Sequence, residues 1–396
     1  MLGRISVEWA EEPYPVLGDR EGLPAGMLME ELAGLWDLLA DSLTRMGPGC
    51  LWPGALRWHA TYGWQVLEVP PLGSGEPPLP DTPGARARDV WAIVHGLVRV
   101  AAGRPPRDLG DVFALLDLHA GEFPHGLDAI VRALLVGADP RAVLAAVRTE
   151  GEDGEVRVRP AAETAVGSRK AKGDPEMDNE DAFAVVRDIH GAVLLVVCDG
   201  VTGEGDGSGA RAARAAVEAV RAYFCRDDHQ GLTAGVAVAD TAVNALTKGA
   251  STFLGASVAP SGEVDLALVG DSPAWLVRRL PDGARIAFRL TPDQTVLAEE
   301  IRTDPAAQWG GSLLTRHLGG YADEPFTTSV QTVPGDLLVL LSDGAAVPSD
   351  TWFGDDLAAL ASAHPSAPGL AAALVARAEN LGGRDNATAL IAEILP

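Results

Sequence analysis

The 396-residue sequence predicts an α+β protein, a β-sandwich flanked by helices (αββα) and preceded by a mainly helical N-terminal domain. Three observations predict it. Strand-like apolar runs between residues 182 and 394 are joined by short turns such as Pro260-Ser261-Gly262-Glu263 and Pro281-Asp282-Gly283, the pattern of antiparallel hairpins. Long helical segments are inserted in bulk between those hairpins, which argues against a doubly wound parallel sheet. Six of the nine tryptophans fall by Trp91, so the first part of the chain has a core of its own.

In that first part, helical periodicity runs over residues 27–46, 87–102, 126–135 and 141–148, and 70–83 is a Pro/Gly-rich loop. The charged stretch from Thr149 to Glu155 reads as a linker, which predicts domains at 1–155 and 156–396. Strands follow at 182–187 and 193–198, then alanine-rich helices at 209–224 and 233–247. Further strands are expected at 252–259, 264–269, 274–279, 286–290, 327–333 and 337–341, with a closing strand at 388–394.

A formal net charge of −24 argues against nucleic-acid and anionic-membrane surfaces, which need clustered Lys and Arg. The three cysteines, Cys50, Cys198 and Cys225, include no Cys-x-x-Cys pair, so neither a disulfide framework nor a structural zinc site is indicated. Glu8, Glu11 and Glu12 close behind Arg4 are unlike a signal peptide, and no apolar run reaches the roughly 18 residues of a membrane span. A cytoplasmic setting is expected.

The chemistry lies where strands end. The runs Leu194–Val197, Leu266–Val269 and Leu337–Leu341 each lead directly to an aspartate: Asp199-Gly200, Asp271-Ser272 and Asp343-Gly344. Asn179-Glu180-Asp181 and Asp385-Asn386 add two more acidic points. Carboxylates gathered in one place need a cation, and without accompanying His or Cys the hard ions Mg or Mn are favoured over Zn. If the central strands lie side by side, Asp199, Asp343 and Asp385 would hold two ions, with Asp199 bridging and the Gly200 carbonyl as a neutral ligand. Two ions roughly 3.5–4 Å apart suit in-line hydrolysis of a phosphate ester without a covalent enzyme intermediate.

From about residue 161 onward the chain resembles the PP2C-type metal-dependent serine/threonine protein phosphatases. The segments that carry the resemblance are Asn179-Glu180-Asp181-Ala182, Asp199-Gly200, Gly270-Asp271-Ser272, Leu290-Thr291-Pro292-Asp293, Leu314 to Gly320, Ser342-Asp343-Gly344 and Asp385-Asn386-Ala387-Thr388, in that order. It implies a PP2C-like fold and hydrolysis of phosphoserine or phosphothreonine by a metal-bridging water. It also implies two Mn or Mg ions, with a third, looser one at Asp271. By position, Glu180 and Asp181 act on one metal partly through water, and Asp199, Gly200, Asp343 and Asp385 complete the site. The implied partners are a phosphorylated protein substrate and a serine/threonine kinase.

Two departures stand out. The family's phosphate-binding arginine three residues before Asn-Glu-Asp is replaced by Glu176, so the role passes to Arg169, with Lys170 and Lys172 nearby. Val201 stands where many relatives carry a histidine. These departures motivate an alternative, a pseudophosphatase that binds phosphoproteins or regulates a kinase, and a hydrolase of small phosphate esters shares the same chemistry. The segment between Leu290 and Gly320 corresponds to the family's access flap. Asp293 and Asp323 are expected at the surface. Residues 25–150 weakly resemble a protein-kinase C-lobe, through Ala87 to Ile93, Ala101 to Pro106 and Leu134 to Pro140. That resemblance implies a degenerate, regulatory remnant; an unrelated helical domain is the other reading.

Overall fold

The structure, a computed structural model, describes residues 56–59, 63–66, parts of 90–107, 109–120, 126–136, 140–147, 155–172, 177–201, 207–246, 248–303, 313–320, 324–349 and 351–396. The chain divides into two compact units, Met1–Val112 and Phe113–Pro396. The helix expected at 27–46 lies outside the described residues.

The first unit holds an antiparallel hairpin, β1 (Leu56–His59) and β2 (Gly63–Val66), with Trp58 opposite Trp64. The sequence reading omitted this hairpin, although tryptophans and valine on paired strands suit a pleated surface. Helical residues between 90 and 102 bury Ile93, Val94, Leu97 and Val98.

Next come α1 (Leu109–Leu118), α2 (Leu127–Val136) and α3 (Pro140–Val147). The second unit begins at Phe113, so α2 and α3 fall within it, upstream of the charged stretch at 149–155. Within this unit Phe113 stacks on Trp352, and Arg289 N–H donates to a carboxylate oxygen of Asp128 in the first turn of α2.

The remainder is built on two antiparallel sheets. Strands β3 (Arg157–Val166), β9 (Ala274–Arg279), β10 (Arg285–Arg289), β12 (Leu337–Leu341) and β13 (Asn386–Leu395) form one, in the order β10-β9-β12-β13-β3. Strands β4 (Asp181–Arg187), β5 (Val193–Val201), β7 (Phe253–Val258), β8 (Glu263–Val269) and β11 (Phe326–Gln331) form the other, in the order β11-β8-β7-β5-β4. The short β6 (Ala250–Ser251) pairs with the end of β5.

The central strands read as continuous apolar runs because both their faces are covered. On β5, Leu194, Val196 and Cys198 pack with α5 (Ser208–Phe224) and α6 (Leu232–Asn244), while Leu195 and Val197 point the other way and are equally buried. On β12, Leu337, Val339 and Leu341 pack with α8 (Phe353–Ala363) and α9 (Ala367–Asn380), and Leu338 and Leu340 are buried on the opposite face. Helix, sheet, sheet, helix is the expected αββα order.

Candidate metal centre

The sheet registers bring the strand-end carboxylates to one end of the sandwich. Asp181 at the start of β4 lies opposite Asp199 near the end of β5. In the other sheet β12 and β13 are antiparallel neighbours with Leu341 opposite Ala389, so Asp343, just past β12, and Asp385, just before β13, emerge together.

Hydroxyls lock these ends in place. Ser342 Oγ donates to Asp181 Oδ2 at 2.8 Å across the two sheets and accepts the Thr388 N–H at 2.9 Å. Thr252 Oγ1 accepts the Asp199 N–H at 2.9 Å and sits 2.9 Å from the Ser272 hydroxyl, tying the Asp199 and Asp271 turns together. Gly200 N–H donates to the Glu180 carbonyl at 3.1 Å, and a Cβ at position 200 would overlap the Gly209 backbone at the start of α5. Only glycine permits that approach, which leaves its own carbonyl beside the acidic pair.

The electrostatics are unfavourable for ionised side chains. Burial, followed by the charges of Asp343 and Asp385, pushes the Asp181 carboxyl up to about 6, against hydrogen bonds from Thr388 and Ser342 that lower it. Burial and the charges of Asp181 and Asp343 hold Asp199 well above the usual carboxylate range, and Asp343 is raised by burial and by Asp385. The Asp199 and Asp343 carboxyls are close enough to share a hydrogen bond. Asp181 Oδ1 and Asp343 Oδ1 are buried and accept none.

Asp271 sits in a turn clamped by the 290–294 segment. Gly270 N–H donates to Gln294 Oε1 at 2.8 Å, and Ala274 N–H donates to Thr291 Oγ1 at 2.8 Å. Burial and the charges of Asp343 and Asp293 raise its carboxyl well above the ordinary value. Asp293, expected at the surface, is part-exposed and pairs with the buried Arg289 four residues earlier; Asp323 lies outside the described residues.

The Lys170 ammonium enters this group. Its ammonium lies 2.9 Å from Glu180 Oε2 and 2.5 Å from Asp385 Oδ1. Burial would lower its pKa, but these two carboxylates hold it above the usual lysine value. Arg169 is exposed and lines, with Lys170, Lys172, Met177 and Arg384, an open recess of about 500 Å³ beside the cluster. Among the described residues no three carboxylate, imidazole or thiolate side chains surround one point as they would a bound ion. The donor set nevertheless fits a hard divalent cation, with all-oxygen ligands, two orphaned buried carboxylate oxygens and mutual repulsion that positive charge would relieve.

The flap segment contains α7 (Val296–Thr303); residues 304–312 lie outside the described set. Beyond them, Leu318 and Ser251 exchange backbone hydrogen bonds next to Gly200, so the Leu314 to Gly320 motif borders the centre. Sequence reasoning assigned no role to the hydroxyls of Ser342, Thr252 and Thr388. The serine directly before Asp343 and the threonine three after Asp385 were the available signals.

No family model matches the chain. The serine/threonine protein phosphatase PstP of Mycobacterium tuberculosis is 29% identical over 245 residues, covering 58% of this chain and 44% of that relative, so the chain matches less than half of the relative's length. Among solved structures, the S. agalactiae serine/threonine phosphatase superposes with a TM-score of 0.50 at 20% identity, over 60% of this chain and 99% of that one. The catalytic domain of PstP in complex with two manganese ions has a TM-score of 0.49 at 24% identity, over 61% of this chain and 100% of that one. About 60% of the chain thus shares the fold of that S. agalactiae phosphatase.

Proposed function

We propose that the sandwich is a metal-dependent protein phosphatase that hydrolyses phosphoserine and phosphothreonine. The observation that carries this reading is the convergence of Asp181, Asp199, Asp343 and Asp385 from both sheets into a half-buried group with too little positive charge of its own. The similarity to PstP supports the reaction class.

Asp199, Asp343 and Asp385, the Gly200 carbonyl and the Glu180–Asp181 pair would hold two Mn or Mg ions, and Asp271 would serve a further one. Cations held there supply a water of lowered pKa and neutralise charge on the phosphoryl oxygens. The chain's own groups do the rest. Ser342 orients Asp181, Thr252 fixes the Asp199 backbone, and Arg169, Lys172 and Arg384 present positive charge to an incoming phosphate at the recess. With Val201 beside the site, no histidine is supplied there to protonate the leaving alkoxide, so water carries that proton.

We read the N-terminal region as regulatory or docking, supported by its own tryptophan-rich composition, with a phosphorylated protein, or the kinase that phosphorylates it, as the partner. Among the described residues no helix is long and apolar enough to cross a membrane; the cytoplasmic reading rests on the three cysteines, an odd number with no Cys-x-x-Cys pair. Phosphate release from a phosphothreonine peptide by the full chain tests the function. Release with Mn or Mg that stops in EDTA is the expected result. No release under any metal, with tight phosphopeptide binding, would favour a pseudophosphatase.

A further inference from the structure

We propose that the Lys170 ammonium is a built-in counter-cation of the carboxylate centre, one that competes with divalent metal for Glu180 and Asp385. The inference rests on the metal-dependent reading above and concerns what governs metal entry. Lys170 joins the two sheets: Glu180 immediately precedes β4 in one, and Asp385 immediately precedes β13 in the other.

Its placement is built into the backbone. The four-residue helix α4 (Ser168–Ala171) is fastened to the loop that carries Asp385. Gly167 N–H donates to the Asp385 carbonyl at 3.1 Å, and Arg169 and Lys170 N–H both donate to the Gly383 carbonyl, at 2.8 and 3.1 Å. Ser168 N–H donates to Glu379 Oε2 at 3.0 Å. A Cβ at position 167 would overlap the carbonyls of Gly383 and Asp385, so the chain can enter α4 this closely only through glycine. Lys172 then leaves the helix at φ 50°, a left-handed conformation uncommon outside glycine. An ordinary surface lysine is not held by such scaffolding.

Charge makes the arrangement a competition. A divalent ion reaching Glu180 and Asp385 would stand within a few Å of an ammonium on the same carboxylates, and like charges at that separation repel even at a part-exposed site. The ammonium must withdraw on its flexible four-carbon stem, and the recess lined by Arg169, Lys172 and Arg384 opens beside it. In the metal-free chain the lysine neutralises part of the cluster. Its cost is a reduced apparent metal affinity, because only the fraction with Lys170 withdrawn is competent to bind.

The test is calorimetric titration of the full chain with Mn²⁺, comparing wild type, Lys170→Met and Lys172→Met. Lys170→Met is expected to bind Mn²⁺ about tenfold more tightly, a decade in Kd, with Lys172→Met within about twofold of wild type by the same measure. Binding by Lys170→Met alone also supports the proposal. Equal or weaker binding in Lys170→Met, beside clear binding by wild type, overturns the proposal and leaves the phosphatase reading standing. No Mn²⁺ binding by any of the three overturns both. Should Lys170→Met fail to fold, the side-chain ¹⁵Nζ resonance of Lys170, assigned with Lys170→Arg, is followed during Mg²⁺ addition to wild type. Movement of that resonance is expected, and a stationary signal overturns the proposal.

Discussion

The strand β12 carries an aspartate at each end, and the two are treated in opposite ways. Asp336, directly before the strand, is buried against the equally buried Arg278 of β9. Arg278 Nε and one terminal nitrogen reach both Asp336 oxygens, at 2.6–3.1 Å, and Val333 N–H donates to Asp336 Oδ2 at 3.0 Å. The two terminal nitrogens also donate to the carbonyls of Ala146 and Gln331, at 2.8 and 2.9 Å. Asp343, two residues past the strand, faces Asp199 and Asp385, and its Oδ1 accepts no hydrogen bond. A buried ion pair in which every guanidinium nitrogen donates is architecture. A carboxylate cluster left short of positive charge is a site that awaits a ligand.

Substitutions can break or sharpen this contrast. The largest effect is expected from Asp199→Asn, which removes the central carboxylate and should lower turnover on a phosphothreonine peptide roughly 1000-fold, the equivalent of several kcal/mol of charge stabilisation. Near-normal turnover in steady-state assays would remove Asp199 from the centre. Next come the two ends of β12, compared by urea unfolding in EDTA. Asp336→Asn strands Arg278 and should destabilise by about 3 kcal/mol. Asp343→Asn relieves repulsion and should stabilise by about 1 kcal/mol. Opposite signs sharpen the comparison; the same sign would break it.

A third buried acidic group supplies a pH test away from the metal ligands. Burial pushes Asp128 up to about 7, against the N–H groups of Arg289 and Ala129 that lower it, and Asp117 up to about 6. A carboxyl whose folded pKa is raised binds its proton more tightly when folded. Its stability contribution is therefore complete below the unfolded value near 4 and is lost as pH rises through about 7. Unfolding free energy should fall by a few kcal/mol between pH 5 and pH 8, and Asp128→Asn should flatten part of that slope, the other raised carboxyls keeping the rest. A rise over that interval would contradict the assignment. The smallest effect is expected at the exposed Arg159–Glu393 pair on β3 and β13, where Arg159→Ala should change thermal stability by less than about 0.5 kcal/mol despite a 2.6 Å contact.

Much of the sandwich was legible because its central strands are buried on both faces. Runs such as Leu337 to Leu341 leave little alternative to a strand, and the aspartates that end them mark the site. β3 escaped notice because Arg157, Arg159 and Pro160 break its apolar pattern, which an edge strand tolerates. Helices α8 and α9 were also missed. Their alanine-rich faces carry a weak stripe, although Ser366 capping the Gly369 N–H, with Pro368 in the first turn, was a readable start signal for α9. At the centre, the residue types were legible and their partnerships were not. Lys170 meets Asp385 across 215 residues of sequence and Ser342 meets Asp181 across 161, and only the sheet registers bring them together. Asp293 looked like a surface residue, yet Arg289 four residues earlier was the available hint of its ion pair.

The central claim is that the strand-end carboxylates form a centre for divalent metal, and anomalous diffraction from crystals of the full chain grown with Mn²⁺ tests it most directly. The account predicts anomalous density at ligand distance from Asp199, Asp343 and Asp385, with the Lys170 ammonium withdrawn from Glu180 and Asp385. Crystals with Mn²⁺ in the solvent, no anomalous density at these carboxylates and Lys170 still seated between them would contradict it.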